Sequence, residues 1–193
     1  MGGEGAGPPA RLVRDAGARP PVRLALMRHA KSSWRWDLPD RHRPLAKRGQ
    51  RSARAVARRL EELGWAPDLI VASPALRSAE TWVRMTEEGG AFRDAGIVFE
   101  DSFYGSHVFE ASAAASIRAY LGGVRDGQRP ANVLCLGHNP GWSLAVEAFT
   151  GKIVHLKTAD VALLEGRSPE WPAALGASFS LVDVVRSRPL LAQ

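Results

Sequence analysis

At 193 residues, with 45% hydrophobic and 24% charged side chains, the chain has the size of one domain around a single core, and neither a disordered nor a fibrous class fits it. The net charge of +6 invites a nucleic-acid reading, but eleven Lys and Arg fall between residues 24 and 59 against only Asp37 and Asp40, whereas residues 60 to 193 carry eleven against sixteen acidic groups. The positive field is therefore local, and neither nucleic acid nor a membrane is an expected partner.

The opening 21 residues, MGGEGAGPPARLVRDAGARPP, hold no apolar stretch able to act as a secretory signal and read as a flexible N-terminal tail, with one domain from 22 to 193. No run approaches the roughly 20 apolar residues of a membrane span. A single cysteine, Cys135 within the apolar NVLCLG, excludes an internal disulfide and reads as a small buried hydrophobe. The expected compartment is the cytoplasm.

VRLALMR (22 to 28) predicts a strand buried on both faces, because it is apolar without alternation. LAKRGQRSARAVARRLEELG (45 to 64) predicts a helix with Ala53, Val56, Ala57, Leu60 and Leu63 on its inner side and Gly64 closing it. Its other side carries Lys47, Arg51, Arg54 and Arg58, expected to be a solvated stripe, with docking of an acidic partner as the alternative. DLIVAS (68 to 73) predicts a second strand, followed by a helix from Pro74 to about Glu88.

IVFE (97 to 100) is a third strand, EASAAASIRAYLGG (110 to 123) a helix, NVLCLG (132 to 137) a fourth strand and PGWSLAVEAFTG (140 to 151) a helix ending at Gly151. VALLE (161 to 165) and SFSLVDVVR (178 to 186) are two more strands, joined by a loop containing Pro and Trp. The alternation predicts a single three-layer α/β/α domain whose central sheet is mostly parallel, with an antiparallel C-terminal edge.

In such a sheet ligands bind beyond the carboxyl ends of the strands. Strand one runs out into Arg28 and His29, strand two into SPALR with Arg77, and strand four into His138 and Asn139. These side chains, with backbone N–H groups at helix starts, make a phosphate-binding set, since planar guanidinium forks suit phosphate. An imidazole with a free lone pair is a competent nucleophile towards phosphorus, and Arg28, Arg77 and a protonated His138 can balance charge on the transferring group. Glu100 and Asp101, just past strand three, are the acids at that edge.

Four motifs in order, LMRHAKS with RPLAKRG, VASPALRSAETW and LGHNPG, resemble the histidine phosphatase superfamily with its phosphoglycerate mutase-like fold, and within it the short SixA-type phosphohistidine phosphatases. The resemblance implies that His29 is the phosphorylated nucleophile, that Arg28 and Arg77 bind the phosphoryl group and that His138 completes the pocket. It also puts Glu100 at the position of the family's proton donor, with Arg43 near the mouth, while Ala30 stands where the family has glycine after the catalytic histidine. Hydrolysis of a phosphorylated substrate, protein phosphohistidine above all, is the implied activity, and the chain lacks room for the insertions of the true mutases.

A phosphatase of a small phosphoester, such as a sugar phosphate or nucleotide, and a non-catalytic phosphoryl-binding regulatory domain are the alternatives. No His-x-x-x-His or carboxylate cluster is spaced for a metal, and no glycine-rich nucleotide fingerprint follows a strand, so neither metal nor cofactor is expected. Lys31, Ser32 and Ser33 are possible phosphate donors from the loop. Trp34 and Trp36 are expected to pack within an apolar loop rather than wall the entrance, and His42, His107 and His155 to be structural.

Overall fold

The computed structural model describes residues 19–88, 90–105, 112–124 and 130–192. Most of the expected N-terminal tail, His107 and the expected helix start at residues 110 and 111 lie outside the described residues. In chain order the elements are β1 (Arg23–Arg28), a 3-10 turn (Asp40–His42), α1 (Lys47–Glu62), β2 (Leu69–Ala72), α2 (Leu76–Thr86) and α3 (Gly90–Asp94). They continue with β3 (Gly96–Phe99), α4 (Ser102–Gly105), α5 (Ser112–Gly122), β4 (Asn132–Gly137), α6 (Gly141–Thr150), β5 (Val161–Glu165), α7 (Trp171–Leu175), β6 (Ser180–Val185) and α8 (Ser187–Leu190).

The six strands form one sheet in the order β3-β2-β4-β1-β5-β6. β3, β2, β4 and β1 run parallel, and β5 and β6 add the antiparallel edge, as the sequence predicts. Residues of β1, β2, β4 and β5 divide by parity between two cores. Leu24, Leu26, Val71, Val133, Cys135, Ala162 and Leu164 face one core, while Ala25, Met27, Ile70, Ala72, Leu134, Leu136, Val161 and Leu163 face the other. In β6, across an irregular pairing with β5, Leu181 and Val184 both face the first. Both faces are apolar because both are covered, which is why these strands show no hydrophobic alternation. Helices α4 to α7 pack over the first core and α1, α2, α3 and α8 over the second.

Helix α1 buries Ala53, Val56, Ala57 and Leu60 as expected, and Gly64, with φ 68°, takes the left-handed conformation that ends it. Its outer stripe is not merely solvated. Arg54 and Arg58 pair with Glu87 and Glu88 just past the end of α2, so part of the local positive charge is spent tying two helices of one layer together.

Three expectations need correction. The helix after β2 starts at Leu76 rather than Pro74, because the Ser73 hydroxyl accepts the Ala75 N–H at 3.3 Å and holds the intervening backbone extended. The expected loop before β6 contains α7, a single turn pinned by the fully buried Trp171, whose indole N–H reaches the Pro130 carbonyl at 2.8 Å. Helices α3, α4 and α8 were not anticipated, being too short to show a period of 3.6 residues. No helix among the described residues is long and apolar enough to cross a membrane.

At the end of β4, Gly137 lies flat against Trp142, and a Cβ there would fall inside the indole ring. Trp142 is itself fixed, with its indole N–H donating to the Cys135 carbonyl at 2.9 Å. Gly137→Ala should therefore destabilise the fold by about 1–3 kcal/mol through overpacking, read as a lower midpoint of chemical denaturation with an unchanged slope.

Candidate active site

Because β2, β4 and β1 are neighbours and parallel, their carboxyl ends open at one place. The cavity there, of about 320 Å³, is lined by Arg28, His29, Arg77, His138 and Asn139 together with Lys31, Ser32, Trp34, Asp40, Arg43 and Thr158. The structure thus brings together all the expected phosphate-binding residues.

His29 leaves β1 with its backbone N–H on the Gly137 carbonyl at 2.9 Å. Its Nδ1 lies 2.7 Å from the Ala30 carbonyl, an acceptor only, so Nδ1 carries the proton and Nε2 keeps its lone pair. That Nε2 accepts the Arg77 Nε–H at 3.2 Å. Burial lowers the His29 pKa from 6.5 to about 3, the Ala30 carbonyl opposing it and the charges of Arg77, Arg28 and Arg43 adding to it. The ring is held neutral with its lone pair in the pocket.

His138 stands 5.0 Å away, centroid to centroid. Its Nδ1 faces Arg77 Nη2 at 3.2 Å and its Nε2 faces the Ser73 hydroxyl at 2.7 Å. Since a guanidinium can only donate, Nδ1 is an acceptor and Nε2 carries the proton to Ser73. His138, expected to balance phosphoryl charge, thus lies in the cavity against Arg77.

Arg77 is 5% exposed, and every nitrogen of its guanidinium makes a contact. Besides the two imidazoles, it donates from Nη1 to the Asp40 carbonyl at 2.6 Å and from Nη2 to Asp40 Oδ2 at 2.9 Å. Asp40 also receives Arg43 Nη1 on Oδ1 at 2.8 Å and the Tyr104 hydroxyl on Oδ2 at 3.3 Å. Burial pulls the Asp40 carboxyl upward, but Arg77 and Arg43 outweigh it and hold the group below its ordinary value, so it is ionised.

Arg28 is held differently. Its Nη1 donates to the Leu156 carbonyl at 3.2 Å, while its Nε–H is buried with no partner among the described residues. Desolvation lowers its pKa, Asp160 opposing and Arg77 adding. Asn139 donates to the same Leu156 carbonyl at 2.7 Å, so it anchors the segment before β5 as well as lining the cavity.

That segment is braced from behind. The buried Asp160 carboxylate takes Arg186 at 2.9 Å, the Ser187 N–H at 3.0 Å and the Lys157 N–H at 3.1 Å. Ala159, at φ 63°, turns its N–H onto the Arg28 and His29 carbonyls at 3.0 and 3.2 Å. A left-handed non-glycine residue costs about 1–3 kcal/mol, and its donor fixes the point where the catalytic strand ends.

Two expected acids stand aside. Glu100 does not line the cavity: its carboxylate accepts the Ser102 N–H at 3.0 Å, capping α4. Asp101 pairs with Arg41 at 2.9 Å on the exposed surface. The carboxylate that does line the cavity is Asp40, from the turn before RPL, which showed only as one of two acids in a basic stretch. Ser73, buried beside Pro74, was likewise missed.

The remaining expectations divide. Arg43 is at the mouth as expected, with Nη2 on the Ser32 hydroxyl at 2.6 Å and its guanidinium stacked on Trp34. Trp34 and Trp36, expected to pack, are 73% and 59% exposed, and Trp34 also lines the cavity, so the loop after β1 presents aromatic surface there. His42 and His155 are exposed and do not line the cavity, and Cys135 is fully buried, which raises its thiol pKa. Ala30 is also fully buried, its methyl within the core under α1 and its N–H on Thr81 at 3.1 Å, so the fold accommodates the side chain where glycine was expected.

Comparison with known proteins agrees with this geometry. An uncharacterized chloroplastic protein of Arabidopsis thaliana is 35% identical over 175 residues, spanning 88% of this chain and 80% of that one. A candidate SixA phosphohistidine phosphatase from Nakamurella multipartitia shares the fold with a TM-score of 0.72 at 22% identity, over 88% of this chain and 98% of its own. The protein histidine phosphatase SixA, solved with tungstate, does so with a TM-score of 0.67 at 17% identity, over 88% and 99%. Residues 24–94 match the family model of branch 1, and the chain belongs to the histidine phosphatase superfamily.

Proposed function

We propose that this phosphatase works through a phosphohistidine formed on His29, needs no metal ion, and acts on phosphohistidine carried by a protein. The observation that carries the mechanism is the Nε2 lone pair of His29, fixed by the Ala30 carbonyl and facing the Arg77 guanidinium. In the first step Nε2 bonds to phosphorus while the bond from phosphorus to the leaving atom breaks. In the second, water attacks the phosphohistidine, the P–Nε2 bond breaks, and inorganic phosphate leaves with the ring neutral again. Arg28, Arg77 and Asn139 bind the phosphoryl oxygens, and the two guanidiniums balance their charge, the task a metal performs elsewhere. His138 donates to Ser73, accepts from Arg77 and thereby keeps that guanidinium in place.

The protein substrate is supported by the likeness to a protein histidine phosphatase and by the exposed Trp34 at the cavity, in a loop that also exposes Trp36, which offers contact area to something larger than a sugar or a nucleotide. Profiling kcat/KM against a histidine-phosphorylated protein and a panel of sugar phosphates and nucleotides should rank the protein first; a small phosphoester at the top would assign the site to that class instead. Rapid quench with labelled substrate should trap an acid-labile, base-stable phosphoenzyme that His29→Ala does not form, and failure of the wild type to label in a single turnover would refute the covalent route.

The sign of the His29 shift also gives a titration. A folded pKa near 3 against an ordinary 6.5 means that the folded protein binds fewer protons than the unfolded chain between those values. Stability from this group is therefore present above about 6.5 and is lost as the pH falls through that window. By nitrogen-15 NMR, His29 should remain the neutral Nδ1–H tautomer from pH 8 to pH 5; an imidazolium signal at pH 6 would remove the neutral nucleophile.

A further inference from the structure

The leaving atom needs a proton if it departs as an alcohol or amine, and the two acids past β3 are not placed to give it. We infer that Asp40 is the proton donor of the first step and the proton acceptor of the second. This rests on the phosphatase reading above and adds a residue to it.

The geometry is specific. Asp40 lies on the 3-10 turn and lines the same cavity as His29, one guanidinium away: Arg77 gives Nε–H to His29 and Nη2–H to Asp40 Oδ2. Its side chain is 47% exposed, so it can exchange protons with solvent, unlike His29 and His138, which are buried. The groups that face it are Arg77, Arg43 and the Tyr104 hydroxyl, with Arg41 stacked behind the Tyr104 ring. In the free enzyme these hold it as a carboxylate.

A phosphoryl dianion changes that balance. It shares the Arg77 guanidinium with Asp40 and puts two negative charges beside a carboxylate, which favours the neutral acid. A carboxyl that has picked up its proton from solvent in this way sits at the pocket with the proton available. As the bond from Nε2 to phosphorus forms and the leaving bond breaks, the electron pair goes to the leaving atom and the Asp40 proton follows it. The resulting carboxylate then removes a proton from the water that attacks the phosphohistidine, which restores the acid. Tyr104 donates to Oδ2, the oxygen shared with Arg77, which leaves Oδ1 with Arg43 alone.

A merely structural Asp40, which only holds Arg77, would slow all substrates alike. A proton donor matters in proportion to how badly the leaving group needs the proton. The test is single-turnover labelling of His29 by phenyl phosphate and by p-nitrophenyl phosphate, whose phenolate leaves without assistance. Asp40→Asn, which keeps an acceptor for Arg77, should slow both but slow phenyl phosphate about 10² times more, the lower end of what general acid catalysis contributes. Asp40→Glu, which retains a carboxyl, should recover part of that difference. An unchanged ratio in Asp40→Asn would overturn the assignment while wild-type labelling left the phosphatase reading intact. A wild type labelled neither by these esters nor by a histidine-phosphorylated protein would overturn both.

Discussion

The Arg77 guanidinium is the interaction on which the rest of the site depends. Burying a guanidinium is tolerable only when its N–H groups are satisfied, and here the acceptors are His29 Nε2, His138 Nδ1, and the carbonyl and carboxylate of Asp40. Because arginine can only donate, both imidazoles present lone pairs to it, and its charge, with that of Arg43, favours the Asp40 anion. The tautomers are completed from the far side by two further groups, the Ala30 carbonyl and the Ser73 hydroxyl, neither of which touches Arg77.

The sheet explains why such a cluster can exist. Three adjacent parallel strands end together, so β2 and β4 each place a polar residue, Ser73 and His138, one step past the strand, and β1 places Arg28 and His29 at its end, without breaking the apolar faces. The strand ends are held by backbone: His29 N–H on Gly137, Ser73 N–H on Leu136, and Ala159 N–H on the carbonyls of Arg28 and His29. Side chains then need little freedom of their own. Thr81 of α2 shows the same economy, receiving the Ala30 N–H and donating to the Arg77 carbonyl, which ties the nucleophile's strand to the helix that carries the guanidinium.

What the sequence disclosed follows from which signals are local. The strands, the inner face of α1 and the ends at Arg28, His29, Arg77 and His138 were legible because an apolar run terminating in a polar cluster is visible within ten residues. Asp40 was not, since its partners Arg77 and Tyr104 are 37 and 64 positions away. Glu100 was misplaced for the opposite reason: its sequence position is right for the edge, but the capping contact with Ser102 turns it away, and a one-turn helix leaves no trace in the pattern. The tryptophans of the loop misled because large aromatics are buried far more often than not. Ser73, beside a proline in SPALR, looked like punctuation and turned out to aim an imidazole.

In the proposed mechanism the two arginines beside His29 meet the phosphoryl group in different ways. Arg28 is half-satisfied, with one donor on Leu156 and a buried Nε–H that has no protein acceptor among the described residues. An unmade hydrogen bond of a charged group leaves about 1–3 kcal/mol unrealised, so an oxyanion arriving there gains without displacing anything. Arg77 already makes four contacts, so an oxyanion arriving there meets a fork that Asp40 shares. Arg28 thus favours initial capture, whereas Arg77 couples capture to a change at the carboxylate. A site with two copies of the Arg28 arrangement would bind phosphate tightly and hold it. Placing an anion of the protein on one of the two forks weakens the ground state and supplies a competitor that helps product leave, which is the behaviour a turnover enzyme needs.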